Sequence, residues 1–145
     1  MEYGTGKAGR VIVIRFDHGD DFLLSLTEVI KKEKIRCGWF QVFGGLRKAE
    51  VVTGPKKPVV PPEPVWRQVD EPREVVGIGS VFWDGEEPKI HLHAALGHHG
   101  DTLTCCVRKG TRVYLLLEVM LVEIEGLSAS RPWFAQGEFF KLSFD

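Results

Sequence analysis

The chain has 145 residues, of which 43% are hydrophobic and 27% are charged. This composition is ordinary for a globular protein, and the length is enough for one substantial core but short for two. The net charge of −1, from 19 basic and 20 acidic side chains, lacks the positive excess that drives non-specific binding to nucleic acid. Because the sequence has neither an apolar run long enough to cross a membrane nor the order of a signal peptide, we expect a cytoplasmic protein without membrane contact.

The first third of the chain predicts a strand, a helix and two further strands. Residues 10–16 form a short β-branched run that is typical of a buried strand. Between residues 21 and 34, apolar side chains recur at helical spacing, after aspartates that can cap a helix and before a last turn rich in lysine. Residues 35–45 alternate and close on two glycines, which predicts that this strand ends where the backbone needs positive φ or a close approach. Residues 48–54 predict another short strand.

The remainder of the chain predicts strands that follow one irregular segment. Residues 55–64 hold five of the eight prolines and predict an exposed extended loop, suited to lying on a neighbouring chain. Alternating and β-branched runs then predict five strands, at 74–83, 89–96, 102–107, 112–126 and 138–144. We therefore expect one α+β domain over residues 1–145, with a mostly antiparallel twisted sheet or partly open barrel and one main helix at about 21–34.

Reactive side chains are concentrated in the predicted hairpin "HLHAALGHHGDTLTCC". His91 and His93 share one face of their strand, about 7 Å apart along it, and can converge on one ion. After the turn, the next strand returns beside them, so one of the two adjacent cysteines, Cys105 or Cys106, should point to the histidine face. Two histidines and one thiolate with an open position would suit zinc, although the pattern alone also fits an ordinary hairpin.

Other reactive groups give weaker indications. Three cysteines, an odd number, argue against a disulfide framework. Glu118 lies inside the apolar run "YLLLEVMLV", where it either points outward or serves as an acid–base group near the histidine and cysteine face. The G-x-G in "GIGSVF" has no third glycine at the dinucleotide spacing and is a weak signal.

These motifs, in their order and spacing, resemble the plants-and-prokaryotes conserved (PPC) domain family over residues 10 to 126. The resemblance is carried by "HLHAALGHHGDTLTCCVRKG" with "GTRVYLLLEVML", and by the earlier "IRFDHGDDFLLSLTEVIKKEKIRCGWFQVFGGLRKAEV". It implies that His91 and His93 match the family's histidine pair and Glu118 its strand glutamate. Cys106 falls where the family has a third histidine, which puts the identity of the metal in question. The resemblance also implies a homotrimer and a fold related to acetolactate decarboxylase, whose zinc is held by three histidines.

The resemblance leaves three functional hypotheses. The first is a trimeric domain that binds zinc or a similar divalent metal through His91, His93 and Cys106. The second is a DNA-associated regulatory or interaction module, although the chain has no R-G-R-P core like that of the AT-hooks in plant members of the family. The third is a metalloenzyme resembling the decarboxylase, with Glu118 handling protons and either Arg108 or Arg112 binding a substrate carboxylate.

Overall fold

The computed structural model describes residues 1–144, which form one helix and ten strands. The helix, α1, spans Phe22–Glu33. The six main strands are β1 (Lys7–Asp17), β2 (Gly38–Pro55), β3 (Pro64–Val69), β4 (Arg73–Asp84), β5 (Glu87–His98) and β6 (Asp101–Glu125). They form a single twisted antiparallel sheet in the order β1-β6-β5-β4-β2-β3, with a further pairing of β6 with β2. The sheet does not close into a regular barrel, and the α+β class predicted from the sequence is confirmed.

Helix α1 agrees with the predicted range to within one residue at each end. The Asp21 carboxylate caps it by accepting a hydrogen bond of 3.3 Å from the backbone N–H of Leu24. Lys34 ends it in the left-handed conformation, with φ of 55°. One side of the helix packs into the hydrophobic core, where Phe22, Leu26 and Ile30 are completely buried. Among residues 1–144, no helix is long and apolar enough to cross a membrane.

Strand β2 is longer than the sequence predicted, because the two glycines lie within it and do not end it. The predicted strand 35–45, apart from residues 35–37, and the predicted strand 48–54 are parts of one strand that pairs with β6 along most of its length. Gly44 has φ of 131°, and a Cβ atom there would lie 2.5 Å from the carbonyl oxygen of Leu116. The close approach was therefore predicted correctly, but it accommodates a shift in register inside a continuous strand.

Strand β6 was likewise predicted as two pieces, 102–107 and 112–126. Gly110, which lies in the gap between these two pieces, has φ of 63° and belongs to one continuous strand. Because β6 pairs with β1, β5 and β2, long-range hydrogen bonds hold it together where the local sequence favours a break.

The irregular segment and the C-terminus differ from the predictions in detail. Residues 56–63 form neither helix nor strand and are largely exposed, but Pro64 starts β3, a strand that the sequence analysis did not predict. The predicted strand 138–144 is two short strands. The four C-terminal strands are β7 (Ala129–Ser130), β8 (Trp133–Phe134), β9 (Phe139–Phe140) and β10 (Ser143–Phe144), which pair as two small sheets.

The G-x-G motif of β4 makes room for the core. Gly79 is opposite Phe40 of β2, whose fully buried ring occupies the space that a Cβ atom on Gly79 would need. At Gly77, a Cβ atom would lie 2.9 Å from the side chain of Ala94. The two glycines thus allow close packing between strands, which explains the motif without a nucleotide.

The side of the sheet opposite the core carries exposed apolar side chains, and we call it the outer face. Its exposed members, between 40% and 69% accessible, are Val11, Val13, Trp39, Phe43, Val76 and Ile78. Directly paired residues of an antiparallel sheet point to the same side. Since Ile78 pairs with His93 and Ser80 pairs with His91, the two histidines lie on the outer face.

Candidate metal centre

Strands β5 and β6 bring three potential metal ligands together. His91 and His93 alternate along β5, and Leu92 between them is turned into the core with 1% exposure. Cys106 lies directly opposite His93 in the antiparallel pairing of β5 with β6. The ligand atoms of the three residues all lie within 4.8 Å of one another.

The spacing of these donors fits a tetrahedral ion. The Nε2 atoms of His91 and His93 are 3.1 Å apart, and their rings meet edge to face. Tetrahedral zinc, with bonds of about 2.0–2.1 Å to nitrogen and about 2.3 Å to sulfur, requires donors roughly 3.3–3.7 Å apart. Small side-chain rotations would therefore suffice to bind an ion. Two imidazoles and one thiolate would leave a fourth position for water or another ligand.

The strand register distinguishes the two adjacent cysteines. Cys105 pairs with Ala94, belongs to the hydrophobic core and is 3% exposed. Cys106 is 6% exposed but lies on the side of the histidines, outside that core cluster. Of the two, only Cys106 belongs to the cluster of potential ligands.

The electrostatic environment of His91 favours its neutral form. Burial lowers the pKa of His91 to about 4, and the electrostatic interactions of His91 with Arg131, His93 and Arg108 act in the same direction. Burial raises the pKa of the Cys106 thiol, an effect that Arg108 opposes. At neutral pH, His91 is therefore ready to bind a metal, whereas Cys106 has to lose a proton first.

Two cavities adjoin this cluster. The smaller, of about 350 Å³, is bordered by His93 and Cys106, and the larger, of about 820 Å³, is bordered by His91. Both are lined by Val52, Pro62, Pro64 and Arg108. The proline-rich segment thus provides a wall of the site, a role that could not be predicted from its composition.

The arginines predicted as substrate ligands lie in different places. Arg108 is exposed at the junction of the two cavities. Arg112 lines neither cavity and lies near the start of α1, where it donates to the carbonyl oxygen of Gly19 at 3.5 Å and forms a β-bridge with Asp21.

A third arginine, Arg131, was not predicted and adjoins the cluster through β4. Its guanidinium donates to the Ser80 side chain at 2.9 Å and to the carbonyl oxygens of Ser80 and Lys89 at 3.4 and 3.3 Å. Ser80 is the strand partner of His91. Arg131 is only 5% exposed, so its charge is held in a fixed position beside His91. No local pattern indicated this, because the contact joins segments far apart in the sequence.

Glu118 does not join the other candidate residues. It lies further along β6, half-buried, where it is paired with Arg15 of β1 and Phe43 of β2. It lines neither of the two cavities.

The turn histidines are also separate from the cluster. The Nδ1 atom of His98 lies 2.8 Å from the carbonyl oxygen of Pro72, and its ring packs against His99. His99 is exposed at the end of the hairpin.

Comparison with known proteins decides the family. The profile of the Plants and Prokaryotes Conserved domain matches residues 3–125, most of the chain. The chain belongs to this family. The PPC resemblance inferred from the sequence motifs is thereby confirmed. No curated protein matches the chain closely enough to count as a relative.

Solved structures of low sequence identity share the fold. A metal-containing protein from Archaeoglobus fulgidus is 21% identical with a TM-score of 0.85, and the alignment covers 99% of each chain. A PPC protein from Pyrococcus horikoshii is 21% identical with a TM-score of 0.83, over 100% of this chain and 99% of that one. A protein from Bacteroides thetaiotaomicron, described as a candidate DNA-binding protein, is 16% identical with a TM-score of 0.78, over 97% of both chains. At these identities, the likeness establishes the fold alone.

Proposed function

We propose that this PPC domain binds one zinc-like divalent ion through His91, His93 and Cys106. The observation that carries the proposal is the convergence of two imidazole nitrogens and one thiol sulfur within 4.8 Å, from two adjacent strands. The Archaeoglobus fulgidus protein of the same fold is described as metal-containing, which supports the proposal.

The ligands have distinct tasks in this proposal. His91 offers a neutral nitrogen, because its pKa of about 4 keeps it unprotonated at neutral pH. Cys106 supplies the negative charge once its thiol has ionised, helped by the nearby charge of Arg108. A zinc ion with an open position polarises an oxygen ligand and lowers the pKa of bound water. Glu118, which lines neither cavity, has no part at the ion in this proposal.

We further propose that the domain assembles as a homotrimer. The outer face of the sheet presents apolar side chains from β1, β2 and β4 that are each at least 40% exposed, and large exposed apolar patches are rare on monomeric proteins. Self-association would bury this face, and we propose three copies because the resemblance to the PPC family implies a homotrimer.

Elemental analysis of the protein purified without a histidine tag tests the metal proposal. After incubation with zinc and removal of unbound ions, we expect about one zinc ion per chain. The matched control is a double variant, H91A/H93A, which keeps all three cysteines and the turn histidines. An equal metal content in the two proteins, or none in either, would overturn the proposal.

A further inference from the structure

The charges around the cluster favour an anionic ligand. A divalent ion held by two imidazoles and one thiolate would carry a net charge of about +1, and Arg108 and Arg131 add two further positive charges beside it. None of the described residues that line the smaller cavity is acidic. The larger cavity includes Asp21 and Glu138, and neither residue is part of the metal cluster.

Arg108 is the cation best placed to contact a ligand. Its exposed side chain lies at the junction of the two cavities and forms no hydrogen bond or ion pair with any residue among 1–144. Arg131, in contrast, is fixed by its hydrogen bonds to Ser80 and Lys89. Arg131 thus adds a fixed charge, while the guanidinium of Arg108 remains available for a bidentate contact with a carboxylate.

The part of the site that contains Arg108 and Arg131 is its cationic end, and the larger cavity adds an apolar wall to it. Four exposed aromatic residues line it, between 41% and 53% accessible: Trp66, Trp133, Phe139 and Phe140. The rings of Trp133 and Phe140 pack edge to face with centroids 5.2 Å apart. This wall is linked to the cationic end through Lys89, whose Nζ lies 4.5 Å from the Phe140 ring centre and whose carbonyl oxygen binds Arg131.

From this arrangement we infer that the site binds a small carboxylate with an apolar, ring-containing body. One carboxylate oxygen would take the open position on the ion, Arg108 would contact the other, and the body would lie against the aromatic wall. The cavity volume of about 820 Å³ lies within the range of about 300–1,000 Å³ that is usual for small-molecule sites. The inference depends on the proposed metal site, since the ion provides one of the two carboxylate contacts.

Calorimetric titration of the zinc-loaded protein tests the inference with three probes. The first is 3-phenylpropanoate, the second is its neutral amide, and the third is propanoate, which lacks the ring. We expect 3-phenylpropanoate to bind at least about tenfold more tightly than either of the others, because only it uses both ends of the site.

Two variants and one control locate the binding. Replacing Arg108 with leucine should lower the affinity for 3-phenylpropanoate by about tenfold or more. Arg112→Leu should leave this affinity unchanged, because Arg112 lies outside both cavities. Trp133→Ala should lower the affinity for 3-phenylpropanoate and leave the affinity for propanoate unchanged.

The metal content of every sample, measured by elemental analysis, distinguishes failure of the metal proposal from failure of the ligand inference. If zinc is bound but the acid and its amide bind equally, or if Arg108→Leu has no effect, the ligand inference is wrong and the metal proposal stands. If zinc is not bound, both fail.

Discussion

His93 and Cys106 face each other across the antiparallel pair of β5 and β6, so a single strand register determines which of two adjacent cysteines reaches the histidines. A slip of one residue would turn Cys106 into the core and bring Cys105 to the other side. The register is held by the burial of Leu92 and Leu96 on the inner face of β5. The chemistry of the cluster therefore depends on the same alternation that builds the core.

Substitution of the individual ligands should follow this register. We expect His93→Ala to abolish stoichiometric zinc binding and Cys106→Ala to weaken it by about 100-fold or more, since each removes one of three protein ligands. Competition with a chromogenic chelator measures the affinities.

The adjacent residues supply matched controls for these variants. His98→Ala and His99→Ala should leave the affinity nearly unchanged, because both side chains lie at the turn. Cys106→His should restore binding, since imidazole is also a good zinc ligand. Loss of zinc in Cys105→Ala together with its retention in Cys106→Ala would contradict the described register.

Zinc binding should become tighter as the pH rises. The pKa of His91 is lowered to about 4, so this residue has no proton to release at pH 7, whereas the pKa of Cys106 is raised and its thiol must ionise. We expect release of about one proton per ion, and an affinity that rises about tenfold per pH unit below the thiol pKa. Calorimetry in buffers of different ionisation enthalpy measures the released protons.

The variant Cys106→His tests the origin of that proton. Because a neutral imidazole replaces the thiol, its proton release at pH 7.5 should be clearly smaller than that of the unmodified protein. The same proton release in both proteins would show that Cys106 is not the group that ionises.

The outer face should mediate self-association. Light scattering should give the mass of a trimer, and replacing Val76, which is 69% exposed on this face, with lysine should shift the mass toward a monomer. Leu24→Lys is the matched control, because Leu24 is 66% exposed but lies on α1. A monomeric unmodified protein at micromolar concentration would refute the trimer.

The isolated domain should not recognise specific DNA sequences. Its net charge is −1, and the sequence has no motif like an AT-hook, so neither of the usual sources of affinity is present. Fluorescence anisotropy with labelled duplexes at about 0.15 M salt measures the binding. Tight and sequence-selective binding under these conditions would revive the DNA-associated hypothesis.

Features with a local cause could be predicted from the sequence. The helix follows from apolar spacing and a capping aspartate, and both are visible within a dozen residues. The shared face of His91 and His93 follows from strand alternation alone, and the return of β6 beside β5 follows from the short turn. These features suffice to predict that His91, His93 and one of the two adjacent cysteines come together.

Features that depend on distant segments could not be predicted. The continuity of β2 and β6 comes from their pairing with each other, and the local sequence around the glycines in these two strands does not predict it. The positions of Arg131 and of the proline-rich wall are set by contacts across the sheet. The same limit applies to Glu118, whose distance from the cavities depends on the course of the long β6 strand.

X-ray absorption at the zinc edge of the loaded protein tests the central claim most directly, because it identifies the atoms bound to the ion. We predict one sulfur at about 2.3 Å and nitrogen or oxygen ligands at about 2.0–2.1 Å, including two imidazoles. The sulfur signal should disappear in Cys106→His and persist in Cys105→Ala. An ion without sulfur in the unmodified protein, or with sulfur retained in Cys106→His, would contradict a site made of His91, His93 and Cys106.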